Sequence, residues 1–222
     1  MDLMREMMRL KEKEGDYTAR HQSNVYYVAG LLARAVAPRL APVIDFAAPF
    51  HDVGKVGVPD GILRKRGKLT DEEWTVMMEH PVLGAELIEK YVLSLNGSSG
   101  VSLDDLPAVL AAVRHHHERY DGAGYPEGLR GEDIPLSARI IAVADAFDAM
   151  TADRPYKRAV SREGALREIT RCAGSQFDPE IAAVFVKVLE ADISAAQPAF
   201  FARACLSRHD FQSAGKTARS SR

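Results

Sequence analysis

The sequence predicts an all-α fold, a single-domain helical bundle. Three observations carry that prediction. Apolar residues recur at three- and four-residue steps along most of the chain, no run sustains two-residue alternation, and β-branched residues rarely cluster. At 222 residues, with 46% hydrophobic and 27% charged content, the chain suits one well-cored globular domain.

The elements follow in order. Residues 1–14 read as a short amphipathic helix with Leu3, Met7 and Leu10 on one face. Such a helix packs on its own domain, forms a homodimer contact, or ends a signalling helix from an upstream domain. From Asp16 to about Ala37, Val25, Val28, Leu32 and Val36 recur at helical spacing behind His21. Val43 to Phe50 is an apolar run ending at His51-Asp52, and Pro49 inside it is expected to kink the helix. Thr70-Asp71-Glu72-Glu73 is a capping box opening a helix that carries Trp74, Met77, Met78 and His80. Asn96 to Gly100 is a surface loop. Asp104 or Asp105 starts a helix running through Leu110 and Val113 into the triplet His115-His116-His117. Pro135 to Met150 is a further helix, with Ile140, Ile141, Val143, Ala144 and Phe147 buried. Ser161 caps another, and Asp178-Pro179 opens one more, proline being favoured at the first helical position. The domain is expected over 15–200 and a tail over 201–222, disordered from about 207, where Ser and Arg dominate and little can be buried.

A net charge of -2 excludes a generally basic binder of DNA or RNA, so local cations or metal must meet any anionic ligand. Cys172 and Cys205 form no disulfide framework and no CxxC motif, which makes a reducing cytoplasm the default. Val28 to Ala37 carries Arg34 and is well short of the ~20 apolar residues of a membrane span. Asp2, Arg5 and Glu6 interrupt the place of a signal-peptide core. The chain reads as soluble and cytoplasmic.

Six of the seven histidines (His21, His51, His80, His115, His116 and His117) fall in the first 117 residues. Around them stand His51-Asp52-Val53-Gly54-Lys55 and Arg114 to Pro126. Imidazole nitrogens and carboxylate oxygens drawn from several helices suit a multinuclear metal site. A His-Asp pair alone carries little weight. His209-Asp210 is a second such pair, in the polar tail with no comparable company.

The combination is more specific than any of its parts. Tyr17 to His21, His51 to Pro59, Gly67 to Glu73, His80-Pro81, His116 to Pro126, Ala144 to Met150 and Arg154-Pro155-Tyr156 follow one another in order over residues 16–190. Together they resemble the HD-GYP family of the HD phosphohydrolase superfamily. That resemblance implies a helical bundle of the HD superfamily type, with the catalytic domain over 15–200. It also implies metal ligands His21, His51, Asp52, His80, His116, His117 and Asp145, Asp52 bridging two divalent transition-metal ions. Five imidazoles favour iron or manganese over magnesium. His116 and His117, taken as adjacent on a helix, point ~100° apart; they meet one ion or divide between two. His115 is left out as a packed or supporting residue. Some members carry a glutamate four residues before the first histidine, which helps bind a third metal. Tyr17 stands there, its phenol protonated at neutral pH, so two metals are expected.

The implied reaction is hydrolysis of cyclic di-GMP to pGpG and onward to GMP. A metal-bridged hydroxide would attack phosphorus in line with the departing ribose oxygen. Asp52 and Lys55 are the candidate catalytic residues, Lys55 being placed to hold a phosphate oxygen. Arg154 and Lys157 match positions that contact substrate in the family, and guanine offers such cations its O6 and N7. In the loop Asp121 to Pro126, Tyr125 supplies either a stacking face for substrate or a packing anchor. The Gly-Tyr-Pro loop is also a candidate contact for a diguanylate cyclase or an adaptor. Two alternatives stand beside this reading: an HD-type phosphohydrolase acting on another nucleotide or a hybrid cyclic dinucleotide, and a non-catalytic signalling interaction module.

Overall fold

The computed structural model describes residues 16–95, 100–152 and 159–195. Residues 1–14, Arg154, Lys157, the side chain of Tyr17 and the tail 201–222 with His209-Asp210 lie outside the described residues. So does all of the surface loop expected at Asn96 to Gly100 except Gly100 itself.

The helices are α1 (Asp16–Val36), α2 (Ala41–Phe50), α3 (Asp60–Leu63), α4 (Asp71–Met77), α5 (His80–Ser94), α6 (Leu106–Arg114), α7 (Leu136–Thr151), α8 (Arg162–Arg171) and α9 (Pro179–Ala195). Short 3-10 turns stand at Pro38–Leu40, Val53–Gly57 and Gly131–Asp133. Among the described residues there is no strand, only an isolated bridge between Ala173 and Phe177. The starts of three helices follow local chemistry. Thr70 Oγ1 accepts from the Glu73 amide while Glu73 Oε2 accepts from the Thr70 amide, at 3.3 and 2.8 Å. Ser161 Oγ accepts from the Gly164 amide, and Asp178 Oδ1 from the amides of Glu180 and Ile181. Each accepted bond satisfies an amide that has no partner inside its own helix.

Two helix ends differ from the expectation. The helix opened by Thr70 stops at Met77, and His80 begins a new one. Pro81 has no N–H to give the Met77 carbonyl, and His80 Nδ1 donates to that carbonyl instead, at 2.8 Å. Likewise α6 stops at Arg114, so the histidine triplet lies in the turn beyond it rather than on a helix. There His116 Nδ1 donates to the Val113 carbonyl at 2.6 Å, taking an acceptor that the next helical amide would use. Pro49 sits inside α2, which nevertheless continues to Phe50 and ends on His51.

The residues up to Val188 form one compact unit; the last turns of α9, from Leu189, open a second. In the first, α1 packs on α2 and α7, α6 on α2, α5 and α7, and the turn Val53–Gly57 on α5. Leu32, Ile44, Ile88, Ile140 and Ile141 are fully buried between them. Each such side chain contributes about 1.5–3 kcal/mol by leaving water. Gly54 decides how closely the turn approaches α5. A Cβ there would run into the His80 carbonyl and stand 2.5 Å from the Gly84 amide nitrogen. The bare glycine lets two backbones touch, and that contact brings His51-Asp52 beside His80.

Candidate metal centre

Seven side chains from five separate segments converge where α1, α2, α5, α6 and α7 meet. They fall into two groups with ligand atoms in mutual reach: His21, His51 and Asp145, and Asp52, His80, His116 and His117. Asp52 faces both. Its Oδ2 lies 3.7 Å from His21 Nε2 and 3.5 Å from His51 Nε2, and its Oδ1 lies 3.2 Å from His80 Nε2 and 3.8 Å from His116 Nε2. Asp145 Oδ1 stands 3.4 Å from His21 Nε2 and 3.9 Å from His51 Nε2.

The protonation of these rings is set by what the other nitrogen touches. His51 Nδ1 donates to the Ala48 carbonyl at 2.7 Å, and His80 and His116 do the same to Met77 and Val113. A carbonyl can only accept, so Nδ1 carries the hydrogen and a neutral ring turns the Nε2 lone pair to the centre. Burial pushes His51 down to about 4 and lowers His80 and His117 as well, which keeps these rings neutral at pH 7. His80 Nε2 and His116 Nε2 are buried with no hydrogen-bond partner among the described residues. Lone pairs that face one another and a carboxylate across 3–4 Å repel unless positive charge lies between them. The donor set therefore fits divalent cations, and its nitrogen-rich character fits transition metals.

His21 is the exception. Burial works against its proton, but Asp148, Asp52 and Asp145 outweigh that and raise it to about 10. Its Nε2 is 3.3 Å from His51 Nε2. A proton on His21 Nε2 and a cation at that place are alternatives. The ring is oriented from behind by Asp148, whose Oδ2 accepts from His21 Nδ1 at 2.6 Å and whose Oδ1 accepts from Asn24 at 2.7 Å. A carboxylate behind a ligating imidazole fixes its tautomer and strengthens its donor nitrogen.

Lys55 Nζ stands 2.5 Å from Asp52 Oδ2. Burial disfavours ionisation of Asp52, yet Lys55 and the surrounding rings hold its carboxyl well below the usual range. The Tyr125 ring stacks on His117 at 4.8 Å, and burial pushes its phenol up, keeping it protonated. Gly124, just before it, presses on the backbone of His117, Glu118 and Arg119, where no Cβ would fit. A cleft of about 330 Å³ opens beside the centre, lined by His116, His117, Asp145, Ala146, Met150 and Glu168 among others, a volume within the range of small-molecule sites.

Three supporting residues escaped the sequence reading. Asp148 is one. Glu118 is another: buried, it accepts from the backbone amides of Glu127, Gly128 and Leu129 at 2.8–3.1 Å and so pins the loop after Tyr125. Glu127 is the third, meeting His115 Nε2 at 2.5 Å and Arg114 Nε at 2.7 Å. His115 thus turns to the loop and away from the other histidines. The acidic residue three positions after Asp145 was a signal for Asp148; nothing local marks the partners of Glu118.

A family model described as HD domain matches residues 3–181. The chain is 40% identical over 187 residues to a cyclic di-GMP phosphodiesterase of Thermotoga maritima, covering 83% of this chain and 48% of that protein. It is 47% identical over 155 residues to the cyclic di-GMP phosphodiesterase response regulator RpfG of Xanthomonas campestris pv. campestris, covering 69% of this chain and 38% of that one. The chain thus spans about half the length, or less, of these curated relatives. Among solved structures, a cyclic GMP-AMP specific phosphodiesterase of V. cholerae superposes with a TM-score of 0.55 at 19% identity. That superposition covers 84% of this chain and 46% of the other, and it shows the fold alone. With the matched model spanning most of its length and the motifs meeting at one centre, the chain belongs to the HD domain family, in the HD-GYP group that its motifs resemble.

Proposed function

We propose that this chain is a metal-dependent cyclic di-GMP phosphodiesterase, producing pGpG and then GMP. The observation that carries the reading is the pair of facing ligand groups with Asp52 between them. His21, His51 and Asp145 would hold one ion and His80, His116 and His117 the other, Asp52 serving both through its two oxygens. Iron or manganese suits five imidazoles. Such ions, when bound, supply the Lewis acidity that activates water and neutralises a phosphoryl oxygen.

The chain's own groups do the rest. Asp52 stays ionised and fixes the spacing of the two groups of ligands. Lys55, already against Asp52, adds a positive charge for a non-bridging phosphate oxygen. The cleft beside His117 and Asp145 takes part of the nucleotide and excludes water around the reacting phosphate. Arg154 and Lys157 are proposed to contact the bases. A diguanylate cyclase or adaptor at the Gly-Tyr-Pro loop and a homodimer through residues 1–14 belong to the same reading, as does a cytoplasmic location. Among the described residues no helix is long and apolar enough to cross a membrane.

A second reading keeps the chemistry and changes the base. Relatives of Vibrio cholerae described as 3'3'-cGAMP-specific phosphodiesterases, 42% and 34% identical to this chain, make the hybrid cyclic dinucleotide the alternative substrate. The test is hydrolysis by iron- or manganese-loaded protein of both dinucleotides, with products identified by chromatography. The first reading expects pGpG and GMP from cyclic di-GMP, and loss of metal and turnover together in His51→Ala/Asp52→Ala. Survival of cyclic di-GMP while cyclic GMP-AMP is cleaved would select the second. Retention of a signalling effect by the double variant would point to an interaction module.

A further inference from the structure

Trp74 is the only tryptophan of the chain and is 46% exposed. Single exposed apolar residues such as Leu93 or Leu103 are ordinary on a protein surface. Trp74 differs in what it touches. Its indole meets the Tyr125 ring edge-on at 6.0 Å, Tyr125 stacks on His117 at 4.8 Å and 30°, and His117 lies 4.1 Å from His116. An unbroken run of rings therefore leads from the candidate ligands to solvent, and Trp74 is its outer end. The backbone that carries the indole is fixed at the start of its helix. It sits in the first turn of α4, whose start is closed by the Thr70–Glu73 capping box, with Lys65 Nζ on Glu73 Oε2 at 2.5 Å.

We propose that Trp74 is a substrate-binding residue that stacks on a purine base of the cyclic dinucleotide, an inference that rests on the phosphodiesterase reading above. A phosphodiester placed at the ligand cluster carries its two bases a short distance to either side. A planar, half-exposed indole at the rim offers one of them a face. Stacking on an aromatic ring tolerates any base, since each presents a π-face. Trp74 therefore serves guanine and adenine alike, and the choice between them is made by edge contacts elsewhere. Tyr125, half-buried between His117 and the indole, holds the indole at its angle.

The test uses the full chain and its single indole as a reporter. Metal-free protein is titrated with GMP and pGpG while Trp74 fluorescence is followed. Metal-loaded wild type, Trp74→Ala and Trp74→Phe are compared on cyclic di-GMP and on methyl p-nitrophenyl phosphate, a diester with no purine. The proposal expects saturable quenching and a rise in KM for cyclic di-GMP of about five- to fiftyfold in Trp74→Ala, largely restored by Phe. The loss on the base-free diester should stay within about twofold. Absence of quenching, an unchanged KM, or a parallel loss on both substrates overturns it; the last would make Trp74 a prop for Tyr125 and His117. Failure of the phosphodiesterase reading looks different. Wild type would then spare cyclic di-GMP while cleaving the base-free diester, and the GMP titration would still decide for or against Trp74.

Discussion

Replacing Gly54 by alanine should damage the centre without touching a ligand. The new methyl would stand 2.5 Å from the Gly84 amide nitrogen, 2.9 Å from the His80 carbonyl carbon, and closer still to its oxygen. Non-bonded atoms prefer about 3.5–4.0 Å. The turn and α5 must therefore part by about 1 Å, and neither is a flexible side chain that can swing aside. Overpacking of this kind costs about 1–3 kcal/mol, which at roughly 2–4 °C per kcal/mol for a chain of this size lowers Tm by about 2–12 °C. The separation falls between His51-Asp52 and His80, and a 1 Å misplacement at a reacting centre costs on the order of a hundredfold in turnover. Neighbouring glycines supply controls. At Gly57 a Cβ meets only the end of Leu83, at 3.1 Å, and at Gly61 nothing lies within 4 Å. Gly57→Ala should be close to neutral. Gly61→Ala, in α3, should gain about 0.5–1 kcal/mol from reduced backbone freedom in the unfolded chain. Thermal melts, metal content and turnover of the three variants check the order. If Gly54→Ala melts within about 2 °C of Gly57→Ala and keeps its metal, the account of the crossing is wrong.

Further outcomes are expected at the centre and at the loop beside it. Asp148→Ala removes the acceptor of His21 Nδ1 and should weaken metal binding or activity about 10–100-fold; Asp148→Asn should fall between, because its oxygen still accepts from His21 once Asn24 turns its amide. Metal retained against a graded chelator series measures this. Chelation should lower Tm, since each site saturated at a hundred times Kd adds about 2.7 kcal/mol. Elemental analysis should return two ions per chain, and three would refute the argument from Tyr17. Glu118→Ala orphans three amides, each worth about 1–3 kcal/mol if left unpaired; hydrogen exchange should accelerate at Glu127 to Leu129. Glu127→Ala, which breaks partly exposed ion pairs, should cost no more than about 1 kcal/mol.

What the sequence made legible was local. Thr70 with Glu73, Ser161 and Asp178 act on amides two or three residues away, so the chain alone discloses them. The seven candidate ligands were legible by motif, and the fold brings all of them together. Where α4 and α6 stop was not. Apolar spacing runs on through Met78 and into the triplet, whereas the helices end because histidine side chains take the last carbonyls. Supporting carboxylates were hidden for the same reason. The bond from His21 to Asp148 spans 127 residues, and Glu118 acts on amides, whose positions no side-chain pattern records.

The bonds from His51, His80 and His116 to the carbonyls three residues earlier bear on which mutations the centre can absorb. The acceptor is peptide backbone, so the identity of residues 48, 77 and 113 does not enter it. Any side chain that packs at those positions leaves the tautomer of the ring intact. A one-residue insertion or deletion in the last turn of α2, α4 or α6 is another matter, because it moves the carbonyl out from under the ring. Drift by substitution is tolerated at these three helix ends, and drift in length is not.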